Sequence, residues 1–140
     1  MASGQKDYTH QFVTEPLVTR HKYGSNTVDP YMLNEIFNIG GPGRILGGFL
    51  WLDSSVTQKA SEIKILVDGE FISELSMENL NKWNLTKDKQ YPNYMITYDE
   101  VNFLYTVGIS SNIEFYELFT LNYRENEGNS PIVRAHVYYT

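Results

Sequence analysis

The stretch Gly40–Gly69, GGPGRILGGFLWLDSSVTQKASEIKILVDG, decides the fold class. Residues 43–53 alternate as a strand does, yet both faces are apolar. Ile45, Gly47, Phe49 and Trp51 fall on one side, and Leu46, Gly48, Leu50 and Leu52 on the other. Antiparallel strands in a lone sandwich commonly keep one wet face. The pattern therefore predicts that the outer face is also covered, by a loop, a helix or another subunit. Gly47 and Gly48 read as positions of close approach by another backbone or a large ring. Residues 61–68 alternate more simply: Ile63, Ile65 and Val67 face one way, Glu62, Lys64, Leu66 and Asp68 the other. Asp68-Gly69 then fits a two-residue hairpin turn, whose central positions both need positive φ. The return strand is Glu70–Ser73.

Working outward, residues 1–30 are polar with scattered apolar positions and read as an extended arm preceding a domain over 31–140. Within the arm, Gln11–Thr19 holds β-prone pieces broken by Pro16, and Arg20–Pro30 reads as turns and loop. Tyr31–Ile39 is assigned as a strand. Ser76–Trp83 carries a helix signal, with Ser76 as the cap, Glu78 in the first turn, and Met77 and Leu80 on one side. Beyond Tyr94 the chain is all strand: 94–98 and 101–107 as a hairpin, then 112–123 and 131–140. Glu117 breaks the alternation inside 112–123, which predicts a bulge, a bend or a subunit contact. The total is about eight antiparallel strands with one short helix. Short strands separated by turn signals indicate a sandwich or barrel, and eight strands suit a single jelly-roll sandwich. The fold class is all-β.

The 140 residues carry 11 basic and 17 acidic side chains, a formal net charge of −6, and no cysteine. A disulfide framework and thiolate metal sites are excluded. The acidic balance and absence of a polybasic patch argue against direct nucleic-acid binding. No apolar run reaches the length of a membrane-spanning helix. His10, His21 and His136 are dispersed, with no HExxH, and no cofactor is expected. Asp53, Asp68, Glu70, Asp99 and Glu100 sit at strand ends and turns and read as turn formers rather than an acid–base pair. The glycines of 40–48 match neither phosphate-loop spacing and lead into a strand rather than a helix. No G-x-S-x-G elbow is present. Trp51 reads as core or subunit interface. Trp83, Tyr116 and Tyr138 are candidates for stacking on a ligand such as a sugar.

Across Gly40–Leu80 the order of a Gly/Pro turn, a long apolar strand, I-x-I-x-V-DG-E and a short helix resembles single jelly-roll virion proteins. These are capsid and head-decoration proteins of viruses that infect bacteria and archaea. A related order is similar to that of jelly-roll glycoside hydrolases, from which no catalytic residues carry over. The first resemblance implies a non-enzymatic structural protein of the virion, partnered by copies of itself and other virion proteins. Phe12, Val13, Leu17 and Val18 of the arm would then lie on a neighbour, and Leu46, Leu50 and Leu52 would form the covered outer face. The alternative is a carbohydrate-binding module or adhesin with a glycan as partner.

Overall fold

The computed structural model describes residues 19–140. The arm residues Phe12, Val13, Leu17 and Val18 lie outside the described residues. Ten strands and one helix follow in the order β1 (Arg20–Thr27), β2 (Leu33–Gly40), β3 (Gly43–Asp53), β4 (Glu62–Val67), β5 (Glu70–Phe71), α1 (Met77–Lys82), β6 (Asn93–Asp99), β7 (Leu104–Ile109), β8 (Ile113–Phe115), β9 (Leu118–Arg124) and β10 (Ile132–Tyr139). One sheet has the order β1-β10-β3-β7-β6, with β8 also paired to β3; the other is β2-β9-β4-β5. All pairings are antiparallel, and one set of them is nested: β1 with β10, β2 with β9, β3 with β7 and β8, β4 with β5. Successive nested pairs fall on alternate sheets, which is the jelly-roll arrangement.

The core lies between the sheets. Leu50, Leu52, Tyr105, Val107, Val133, Ala135 and Val137 from the first sheet meet Phe37, Ile39, Ile63, Ile65, Phe119, Leu121 and Tyr123 from the second. Helix α1 closes one side with Met77 and Leu80, and the Ser76 hydroxyl accepts the Asn79 N–H as its N-cap. At the Asp68-Gly69 turn φ is 49° and 90°, the conformation the hairpin reading requires.

Four readings are corrected. Arg20–Thr27 is a strand rather than turns and loop; it pairs along its whole length with β10. Its Gly24 lets the two sheets close at their corner, since an added Cβ would lie 2.7 Å from the Phe37 ring and 2.8 Å from Ile36 O. The 112–123 strand is two strands, split at Tyr116-Glu117, where the chain crosses from the first sheet to the second. Strand β7 starts only at Leu104, because the Asp99 carboxylate accepts the N–H groups of Val101 and Asn102 and turns the chain there.

The fourth correction concerns β3. Tyr138 of β10 pairs with Gly47 and Tyr139 with Ile45, so Leu46 is an extra, unpartnered residue of a β-bulge. Gly47 has φ +147°, open to glycine and strained for any other residue. The bulge inverts the parity downstream. Leu50 and Leu52, 0% and 2% exposed, point into the core with Ile45, whereas Leu46 is 39% exposed. The outer face of β3 is Phe49 and Trp51, not a leucine stripe.

Candidate interaction surface

The two sheets have different outer faces. On the second sheet the outward positions mix polar residues, several bonded within the chain, with scattered exposed apolar ones, Leu33, Phe71 and Leu118. Asn38 donates to Glu35 at 2.7 Å, Asn122 donates to Lys64 O at 3.3 Å, and Lys64 pairs with Glu62 at 3.2 Å. The first sheet carries aromatic side chains outward instead. Its register sets Tyr23 opposite His136, His136 opposite Phe49, Phe49 opposite Gly108 and Gly108 opposite Tyr94. Directly opposed residues share a face, so these form one row across five strands. Gly108 leaves room for the Tyr94 ring, which an added Cβ would strike. The flanking rows are His21, Tyr138 and Gly47 on one side, and Ser25, Arg134, Trp51 and Thr106 on the other.

The rings touch in series. Phe49 and Trp51 centroids lie 5.2 Å apart, Tyr23 and Trp51 6.3 Å, Phe49 and His136 6.3 Å, and His136 and Tyr138 4.9 Å. These separations lie in the range of favourable ring pairs. Tyr23, Phe49 and Tyr138 are exposed, and Trp51 and His136 half-buried. The strands hold the rings at fixed spacing, so little side-chain freedom is lost when a flat partner covers them. Chemically the surface offers stacking and apolar contact, with the Tyr hydroxyls and imidazoles as polar handles.

Of the stacking candidates, Tyr138 belongs to this surface. Trp83, at the end of α1, is 57% exposed, and Tyr116, at the β8–β9 crossing, is 73% exposed. Neither stacks on another ring among the described residues. Leu46 lies at the bulge beside the surface; Leu50 and Leu52 are beneath it, in the core. His21, Tyr23, Phe49 and His136 were missed as site residues. The alternation His21-Tyr23-Ser25 carries the signal, but the composition of Arg20–Pro30 speaks for turns and loop.

Elsewhere, carboxylates serve the backbone. Asp68 accepts N–H groups from Tyr116, Glu117 and Leu118. Those bonds, Tyr116 first, hold its carboxyl below the ordinary range. Glu125, buried at the opposite end of β9, faces a burial penalty that would raise its pKa. Donation from Gln58 and from the N–H groups of Tyr31 and Gly128 outweighs it, so the carboxyl sits below the ordinary value. Gln58 in turn accepts from Tyr123 Oη at 2.6 Å and Ser61 Oγ at 2.8 Å, and burial pushes the Tyr123 phenol up. A surface hollow of about 460 Å³, lined by Pro42, Arg44, Glu114, Tyr116 and Thr140, is crossed by the 2.6 Å Arg44–Glu114 ion pair. Among the described residues no helix is long and apolar enough to cross a membrane.

The fold and surface define a single jelly-roll sandwich with one mixed and one aromatic outer face. In fold it is similar to a chain of the acid-stable capsid of the Helicobacter pylori bacteriophage KHP30. The match has a TM-score of 0.54 and 8% identity, and covers 87% of this chain and 86% of that one. No protein-family model and no curated protein matches the sequence.

Proposed function

We propose that the chain is a structural virion protein, a jelly-roll subunit of a capsid. It packs on copies of itself, and on other virion proteins, through the aromatic outer face of β1, β10 and β3. The carrying observation is the contrast between the sheets: one outer face mixes polar residues with scattered apolar ones, while the other aligns Tyr23, His136, Phe49 and Trp51 in ring contact without a covering element from the described residues. A monomeric protein rarely exposes a contiguous patch of that kind unless something docks there. Aromatic residues are enriched at the centres of subunit interfaces, where each buries roughly 150–250 Å². The jelly-roll match to a phage capsid chain supports the same reading.

In this reading the arm residues Phe12, Val13, Leu17 and Val18 lie across a neighbour, and Leu46 extends the apolar surface at its bulge. The work is done by interfaces, with no catalytic residue assigned.

The test compares the purified full chain with Phe49→Ser/Trp51→Ser by light scattering and electron microscopy. The native chain assembles into particles or defined oligomers, and the variant stays a folded monomer by circular dichroism and sedimentation. A native chain that remains monomeric at high concentration, or a variant that assembles equally well, overturns the proposal.

A further inference from the structure

The geometry points to a site for a late first-row divalent transition metal, formed by His21 and His136; we propose it on the following observations. His21 is on β1 and His136 on β10, diagonal across the pair at an offset of two residues, since His21 faces Tyr138 and Tyr23 faces His136. The nitrogens His21 Nδ1 and His136 Nε2 converge to 3.2 Å, with the rings at 70°. Two imidazole nitrogens bound to one tetrahedral ion at about 2.0–2.1 Å stand about 3.3 Å apart. The pair is thus spaced as two adjacent ligands are.

The backbone keeps it so. Both residues sit within paired strands, and His136 is flanked by Tyr138 at 4.9 Å and by Phe49 at 6.3 Å. These neighbours limit its rotation, which lowers the ordering cost of binding. Imidazole nitrogens favour copper, nickel and zinc over magnesium and calcium, with copper(II) tightest in the ordinary series. Among the described residues no third His, Cys, Asp or Glu completes a ligand set.

The full chain is titrated with nickel, copper(II) and zinc salts by calorimetry at neutral pH, with magnesium as control. Imidazole resonances are followed by NMR. The native chain binds one ion per chain, copper tightest, with His21 and His136 resonances shifting or broadening together; magnesium gives no heat. His21→Ala and His136→Ala each weaken binding by about 10-fold or more, and the double variant loses no more than the weaker single. Both positions are on the surface, and circular dichroism checks that each variant folds. A native chain that binds no more tightly than the double variant overturns the proposal and leaves the pair as an imidazole–imidazole hydrogen bond only.

Discussion

Asp68 and Leu118, fifty positions apart in the chain, hold each other reciprocally: the Asp68 N–H donates to Leu118 O at 2.9 Å, and Asp68 Oδ1 accepts the Leu118 N–H at 2.9 Å. The same carboxylate accepts Glu117 N–H at 2.8 Å on Oδ1 and Tyr116 N–H at 2.9 Å on Oδ2. One side chain in the β4–β5 turn thus fixes the crossing where the chain leaves β8 for β9 and changes sheets.

Asp68→Asn should therefore lower the melting temperature although the position is exposed, because an amide NH₂ would face one of these N–H donors. The sign with pH follows from the depressed carboxyl. A group titrating lower when folded adds stability that is present above its unfolded value, near 3.8, and is lost as pH falls through the folded value. Native protein should lose melting temperature as pH falls from about 4 downward; Asp68→Asn should start lower and fall less over that range. Parallel curves for the two proteins would count against this role.

Glu125 is the buried counterpart. Its Oε1 accepts Tyr31 N–H at 3.1 Å and Gly128 N–H at 2.9 Å, and Oε2 accepts Gln58 Nε2 at 2.8 Å and Glu127 N–H at 3.1 Å. It joins the entry to β2, the β3–β4 connection and the β9–β10 turn. Glu125→Ala leaves these donors without a partner and should cost about 1–3 kcal/mol, read by urea unfolding. Glu125→Gln retains one acceptor oxygen and should lose less. A denaturation midpoint unchanged in both variants would show that the clasp contributes nothing.

Local chemistry was legible where the structure is locally determined. Ser76 caps α1 because its hydroxyl reaches the Asn79 N–H, and Asp68-Gly69 turns because both residues take positive φ. Glu117 marked a bend because a charged residue cannot continue an inward series through a sheet crossing. What the pattern could not carry was long-range. The bulge at Leu46 exists in relation to Tyr138 and Tyr139, ninety residues downstream, and without it the alternation assigns every later side chain of β3 to the wrong face. The glycines at 47 and 48 were the trace of it. Strand β1 owes its structure to pairing with β10, and its Gly24 to the approach of Phe37; composition at that point speaks only for a turn. The aromatic surface was hidden for both reasons, since part of it lies on β1 and part depends on the corrected parity of β3.

That corrected parity separates two neighbouring residues experimentally. Leu50 is fully buried, so Leu50→Ala should cost about 2–5 kcal/mol through lost burial and the cavity left behind. Trp51, on the outer face and half-buried, should cost about 1 kcal/mol or less in monomer stability as Trp51→Ala, while its effect falls on association. Chemical denaturation and sedimentation of the two variants read these separately. The reverse pattern, a large stability loss at Trp51 and a small one at Leu50, would restore the leucine outer face.

The arm is best tested by a cut placed according to the register of β1. Arg20 pairs with Tyr139, His21 with Tyr138 and Lys22 with Val137, so removing residues 1–22 would also strip pairing from β10 and confuse lost folding with lost assembly. Deleting residues 1–18 keeps every one of those pairs. That truncation should retain the β spectrum and melting temperature of the full chain, because every strand pair and core residue described lies within residues 19–140. Assembly, followed by light scattering and electron microscopy, should fail or fall sharply, since an extended segment laid on a neighbour supplies backbone hydrogen bonds and apolar contacts that the globular face alone lacks. Particles of normal size and yield from the truncated chain would remove the arm from the assembly mechanism and leave the Phe49–Trp51 face as the whole of the interface.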